Sequence, residues 1–327
     1  MENIAEFFAN SSSDESALCN DAQPSCSRPL EDISKNKISH LVIPGGGIAG
    51  FTYYGALRES AIQGVWSIDN IQTIYGTSVG SIIAVILALK YDWETIDDYL
   101  IKRPWQNVFK FDMYSLIGSI KKRGIFDIKI MEDVFQPLFS GKDIPIHVTM
   151  REFFEITKIE IHIITVDVNS FELIDISYKT HPDWRVVDAV YASSSLPIIF
   201  APFIRDDKFY CDGGLVLNYP VSKCIENGAN PNEILGFCRQ IIKNDAPEIT
   251  NDSTLLDYLL TIFNKSFQKI IWLRAIYSIS VEYIVPSVPM SIASIYNTTV
   301  SMEERIRLID LGKQIVGDPS SNHLTSS

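Results

Sequence analysis

Residues 71–89 read IQTIYGTSVGSIIAVILAL, a β-branched run, a sharp turn and an unbroken apolar segment. The turn Gly76-Thr77-Ser78-Val79-Gly80 fits G-x-S-x-G, and its context is what gives that short pattern weight. Ile71, Ile74 and Tyr75 suit a buried strand, while Ile82–Leu89 suit a buried helix. A serine held between strand and helix sits on a strained backbone that pushes its hydroxyl above the sheet edge. Gly76 and Gly80 flank it because strand and helix pack too closely there for side chains. The free N–H groups and positive dipole end of the following helix then point at whatever Ser78 attacks.

Working toward the N-terminus, His40–Pro44 (HLVIP) reads as a first strand, followed by Gly45-Gly46-Gly47-Ile48-Ala49-Gly50 and a helix through FTYYGALRESAI that ends near Gly64. A glycine turn between strand and helix lets consecutive N–H groups converge on an anion. Two uses of that turn compete. Gly45, Gly47 and Gly50 fit the dinucleotide fingerprint G-x-G-x-x-G, with Asp69 at the spacing of a ribose-binding acid. Alternatively the loop is an oxyanion hole. Neighbouring parallel strands then bring it to the same sheet edge as Ser78.

Toward the C-terminus, Glu160–Val168 alternates as a core strand containing His162, and Phe171–Tyr178 reads as its neighbour. A histidine so placed is more often a packed residue than a ligand. Trp184–Ala192 reads as a helix, and Lys208–Leu217 carries Asp212-Gly213-Gly214 between apolar runs. Asp-Gly is a hairpin signal, and a catalytic acid at a turn needs the same geometry. Residues 233–242 suggest a last core strand, and the chain from Leu255 reads as mostly helical, ending in a helix over Met302–Val316. Residues 105–150 are mixed and fit either a lid or a helical side layer. There is no internal repeat.

Composition bounds the function. The chain has 327 residues, 46% hydrophobic, enough for one sizeable core. The net charge of −12 argues against nucleic acid as a partner. The five cysteines, Cys19, Cys26, Cys211, Cys224 and Cys238, show no paired spacing, which suits a reducing compartment. No metal-ligand spacing links them to the histidines, so neither metal nor cofactor is expected. Glu2 and Glu6 stand where a signal peptide would be basic, and the apolar run Ile82–Leu89 is too short to span a bilayer. These features predict a cytoplasmic protein. Lys265, Lys269 and Arg274 interleave with Phe267, Ile270, Ile271, Trp272 and Leu273, a pattern of a membrane-surface helix or a core-packing pair. The reading divides the chain into a polar, disordered tail (1–36), a catalytic domain (37–240) and a C-terminal helical extension packed on or near it (241–327).

Three motifs stand in one order: Gly45-Gly46-Gly47-x-x-Gly50, Gly76-x-Ser78-x-Gly80 and Asp212-Gly213-Gly214. Together they resemble the patatin-like phospholipase family. FTYYGALRES resembles its first helix, ASSSLPIIFAPF its segment ahead of the acid, and Asn218-Tyr219-Pro220 the Asn-x-Pro after it. The resemblance covers about residues 38–240. It implies a three-layer α/β/α sandwich with a central, mostly parallel sheet, and metal-free hydrolysis of phospholipid or related acyl esters during peripheral membrane contact. It implies Ser78 as nucleophile and Asp212 as base. Gly45, Gly46 and Gly47, with Val79 at the helix start, would supply the oxyanion hole. The family often carries Arg or Lys just before the last glycine of the first motif. This chain has Ala49 there, which changes how the loop is braced or how lipid phosphate is met. Acyl transfer by the same machinery stays an alternative. A Ser-His-Asp hydrolase needs a histidine after the acid, and the sequence offers only His323.

Overall fold

The computed structural model describes residues 37–110, 121, 123–240, 249–251, 253, 258–259, 261–262, 265, 277–288 and 291–317. The tail (1–36), most of the amphipathic stretch around Lys265–Arg274, and His323 lie outside the described residues. In chain order the elements are β1 (His40–Ile43), α1 (Gly50–Ile62), β2 (Thr73–Thr77), α2 (Val79–Ala88), α3 (Trp93–Lys102), β3 (Gly124–Phe126), α4 (Lys129–Ser140), α5 (Met150–Thr157), β4 (Glu160–Asp167) and β5 (Glu172–Ile176). They continue with α6 (Val186–Ser194), β6 (Ile198–Phe200), β7 (Phe203–Arg205), β8 (Lys208–Asp212), α7 (Gly214–Leu217), α8 (Val221–Glu226), β9 (Ile234–Arg239), β10 (Val281–Val285), α9 (Ile292–Val300) and α10 (Met302–Gly317).

The main sheet runs β10-β9-β1-β2-β4-β8-β7, with β5 also paired to β4. β10, β9, β1, β2 and β4 are parallel, and β5 and β8 pair antiparallel with β4. The parallel part is covered on both faces, as such sheets must be. Alternation along each strand makes the division: Leu41, Ile43 and Ile74 belong to the large core with α1 and α2, while Val42 and Tyr75 belong to a smaller core with Val221 and Cys224. The fold is therefore the three-layer α/β/α sandwich.

The segment after residue 240 departs from its helical expectation. Val281–Val285 is a strand that pairs with β9 and extends the parallel sheet. Its residues VEYIV are β-branched and aromatic, and burial of Tyr283 and Val285 in the core outweighs their reading as part of a longer helical run. α10 then lies along α1 in backbone contact. A Cβ at Gly55 would stand 2.0 Å from the Ile309 carbonyl oxygen, and one at Gly312 the same 2.0 Å from that of Thr52. Arg305 is buried and fastens the same region. Its guanidinium donates to the carbonyls of Ile101 (2.7 and 3.0 Å), Thr298 (2.8 Å) and Thr299 (3.1 Å).

Candidate active site

β2 ends in Thr77 and α2 begins at Val79, so Ser78 alone makes the turn. Its φ of 53° and ψ of −124° fall in a region costly for any side chain. The surroundings hold it there. The Ser78 N–H donates to Ser193 Oγ (2.9 Å), whose hydroxyl donates to the Ile164 carbonyl (2.5 Å). The glycines leave no alternative spacing: a Cβ on Gly76 would lie 2.6 Å from the Gly80 oxygen, and one on Gly80 2.3 Å from the Ile43 oxygen. Backbone atoms are what they would strike, so no rotamer change relieves either clash.

Register brings the acid to the serine. One edge of β4 pairs with β5 over Ile163–Asp167. The other edge pairs first with β2, ending at Thr77 opposite Ile164, and then with β8, starting at Asp212 opposite Thr165. β2 and β8 thus meet end to end along β4, with Ser78 and Asp212 at the junction. Ser78 Oγ donates to Asp212 Oδ2 at 2.6 Å. The Gly214 N–H donates to Oδ1 at 2.8 Å and fixes the carboxylate plane. Burial pushes Asp212 up to about 6, against the lowering effect of these two bonds. A Cβ on Gly213 would lie 2.2 Å from the Ile164 oxygen, so this turn also needs glycine for close approach.

The glycine loop flanks the same point. Gly47 takes a left-handed φ of 55°, and a Cβ on Gly50 would strike the Val79 side chain at 2.4 Å. Loop and elbow are therefore packed together. Gly45 differs from its neighbours in one respect that corrects the sequence reading. Its N–H donates to the Asn218 carbonyl at 3.0 Å, while the Asn218 Nδ2 and Tyr53 hydroxyl donate to its carbonyl at 3.2 and 3.3 Å. Gly45 is a fixed anchor whose donor is engaged inside the protein. Ala49 is buried beneath the loop, its Cβ 3.2 Å from where one on Gly46 would be. Asn218 and Ser193 are the two bracing residues that motif reading passed over. Both lay inside segments quoted for their family likeness, where nothing local distinguishes a brace from a spacer.

Ser78, Val79, Asp212 and Gly45–Gly47 open into a cavity of about 250 Å³. Its walls are apolar, drawn from α2 (Ile82, Ile86), the 105–126 region (Trp105, Phe109, Phe126) and α4 (Met131, Val134). Ile295, Thr298 and Thr299 of α9 complete it, so the C-terminal segment forms part of the wall.

Among the described residues the competing constellations do not assemble. Asp69 precedes β2 and is exposed at the amino edge of the sheet, whereas the glycine loop is at the carboxyl edge, so it cannot serve a ribose beside that loop. Among the described residues no histidine lines the cavity. His40 bonds Thr73 Oγ1 at 2.8 Å, at the start of the sheet. His162 is buried between carboxylates instead. Its Nδ1 is 2.8 Å from Asp175 Oδ1 and its Nε2 3.2 Å from Glu160 Oε1, while the Tyr75 ring stacks on it at 4.1 Å. Lys179 closes the cluster at 2.7 Å from Glu160 Oε2. Burial opposes the imidazolium, but the bonds to Asp175 and Glu160 outweigh it and raise His162 above its ordinary 6.5. A raised histidine stabilises the fold fully below 6.5 and loses that contribution as pH climbs through its folded value. The melting-temperature gap between wild type and His162→Gln is therefore expected to be wide below pH 6.5 and to narrow as the pH climbs above it. A gap independent of pH would refute the charged state.

Among the described residues no helix is long and apolar enough to cross a membrane, and no group of three His, Cys, Asp or Glu residues could hold a metal ion.

Several known proteins are similar to this chain. The chain is 31% identical over 190 residues to uncharacterized protein R571 of Acanthamoeba polyphaga mimivirus, covering 58% of this chain and 62% of that protein. It is 29% identical over 191 residues to probable lipid hydrolase 463L of Invertebrate iridescent virus 6, covering 57% and 63% respectively. Lysophospholipase NTE1 of Kluyveromyces lactis is 26% identical over 195 residues, which are 58% of this chain and 12% of that one. The chain thus spans less than two thirds of each of these relatives. Similar solved structures include VipD from Legionella pneumophila (14% identity, TM-score 0.45, 84% of this chain and 67% of that one). Another is human GIVD cytosolic phospholipase A2 (12% identity, TM-score 0.42, 89% and 58%). The patatin-like phospholipase family model matches residues 41–225, a span that holds the glycine loop, the serine elbow and the Asp-Gly-Gly turn, and the chain belongs to that family.

Proposed function

We propose that this protein is a lipid acyl hydrolase of the phospholipase A type, working through a Ser78–Asp212 dyad and an acyl-enzyme. The observation that carries the reading is the 2.6 Å bond from Ser78 Oγ to a buried carboxylate at the floor of an apolar cavity. Asp212 Oδ2 takes the Ser78 proton as Oγ attacks the ester carbonyl. A carboxylate of ordinary basicity removes that proton poorly, and its displacement to about 6 makes Asp212 a better base while leaving it ionised at neutral pH. The N–H groups of Gly46, Gly47 and Val79 receive the oxyanion, each such donor being worth about 3–4 kcal/mol. Asp212 then passes its proton to the leaving alcohol. Water then attacks the acyl carbonyl while giving a proton to Asp212, which returns it to Ser78 Oγ as the acyl–Oγ bond breaks and the fatty acid leaves. The chemistry asks nothing of a metal. The acyl chain lies along Ile82, Ile86 and Val134.

Substrate arrives from a lipid surface, and we assign a reversible membrane contact to the amphipathic segment around Lys265–Arg274. Acyl transfer differs only in which hydroxyl resolves the acyl-enzyme.

The decisive test is labelling by a fluorophosphonate, followed by hydrolysis of micellar phospholipid. Wild type is expected to label stoichiometrically and release fatty acid, and Ser78→Ala to do neither. Equal labelling of the variant would remove Ser78 as the nucleophile.

A further inference from the structure

Among the described residues, two charged side chains line the cavity, Asp212 and Arg239. Asp212 is accounted for by the reading above. Arg239 ends β9, outside the span matched by the family model. β9 pairs with β1 in parallel, Gly236 opposite Val42. Both strands run on toward the carboxyl edge, where Arg239 lines the cavity together with Gly45. Its charge is felt at the Tyr53 hydroxyl, the group that donates to the Gly45 carbonyl.

The guanidinium is held by a neutral hydroxyl. Nε and Nη2 donate to Ser287 Oγ at 3.1 and 2.7 Å. Among the described residues no carboxylate pairs with it. A guanidinium carries five N–H donors in a rigid fork. Ser287 fixes the plane of the fork and leaves donors over for a ligand. A purely structural arginine at this edge would be expected to cap carbonyls, as Arg305 does. Arg239 instead borders an apolar cavity, where an unpaired positive charge is most attractive to an anion.

We infer that Arg239 determines substrate specificity by binding the phosphodiester on the alcohol side of the scissile ester. The acyl chain occupies the apolar wall and the carbonyl faces the glycine loop. The glycerol side of the ester then leaves along the Gly45–Arg239 edge, where a phosphate two or three carbons from the ester oxygen meets the fork. Ala49 supplies no cation to the loop, so in this chain the positive charge comes from the neighbouring strand. This inference rests on the hydrolase reading and adds a preference for phosphate-bearing over neutral acyl lipids.

The test compares 1-palmitoyl lysophosphatidylcholine with 1-palmitoylglycerol, both dispersed in the same non-ionic detergent micelles. The quantity read is the ratio of kcat/KM for the two. Wild type is expected to favour the phosphate lipid. Arg239→Gln is expected to lower the ratio about 30-fold, chiefly through KM, the usual size of a lost charge-assisted bond pair. Arg239→Lys, which keeps the charge without the fork, should fall between them. An unchanged ratio in a folded Arg239→Gln protein overturns the inference. If that variant does not fold, the wild-type ratio decides, and a value of one or less overturns it. A wild type that cleaves palmitoylglycerol equally well sinks the phosphate preference and leaves the hydrolase reading standing. A wild type that cleaves neither lipid and resists fluorophosphonate sinks both.

Discussion

Asp212→Asn is expected to lower turnover on acyl lipids by about 10³- to 10⁴-fold, the contribution of a well-placed general base, and at the same time to raise thermal stability at pH 7. Asparagine keeps the shape and can still accept from the Gly214 N–H, but it cannot take the Ser78 proton. The stability sign follows from linkage. Burial lifts Asp212 from 3.8 to about 6, so between those values the folded protein holds a proton that the unfolded chain has released. This carboxylate therefore favours the fold most below pH 3.8, and its ionisation costs stability that is fully felt above about 6. That cost is on the order of 3 kcal/mol for the gap between the two values. Asparagine removes it, so the inactive variant should melt several degrees above wild type at neutral pH. The same titration shapes the rate. Activity of wild type is expected to rise through pH about 6 and then level off, because only the ionised carboxylate is a base. Ester-hydrolysis pH profiles and calorimetric melts of the two proteins check both halves. A variant that stays active, or that melts below wild type at pH 7 and loses no further ground to it at pH 5, would show that Asp212 is not a strained base.

Gly312→Ala and Gly55→Ala should each destabilise the protein by about 3 kcal/mol or more, against the direction that helix propensity alone gives. Alanine in a helix interior is favoured over glycine by about 1 kcal/mol. Here the new Cβ would stand 2.0 Å from a carbonyl oxygen of the facing helix, Thr52 for Gly312 and Ile309 for Gly55. The obstacle is backbone, so α1 and α10 must move apart along a contact that runs most of their length. Overpacking therefore exceeds the propensity gain. Gly317 provides the control. A Cβ there meets nothing within 4 Å, so Gly317→Ala should leave the melting temperature unchanged or slightly raised. Because the glycine loop leads directly into α1, activity in the two interior variants should fall with stability. Denaturant unfolding measures the effect, and an interior variant as stable as wild type would mean that the helices are not in backbone contact.

The local chemistry of the site was legible in the chain itself. Ser78 between Gly76 and Gly80, the Gly45–Gly50 turn after an apolar strand and the Asp212-Gly213-Gly214 turn are each short-range patterns with a steric reason, so no distant residue is needed to read them. Hydrophobic period carried the strands β1, β2, β4 and β9 and the helices α1, α2 and α10 in the same way. Several things depend on contacts between separate elements of the chain, and these only the tertiary structure decided. The meeting of Ser78 with Asp212 is a matter of register: both strands share one edge of β4, and a slip of one residue would part them. Gly45 was grouped with its neighbours as a donor because sequence gives all three glycines the same N–H. The fold alone engages one of them with Asn218. His162 looked like a packed strand residue because Asp175, on the next strand, is a partner only once β4 and β5 pair. Val281–Val285 became a strand because β9 offered a free edge to it, and Arg239 reached the cavity because β9 lies beside β1. Motif spacing determines which residues can do chemistry. Strand order and register determine which of them face one another, since those depend on burial and pairing that no single stretch of chain contains.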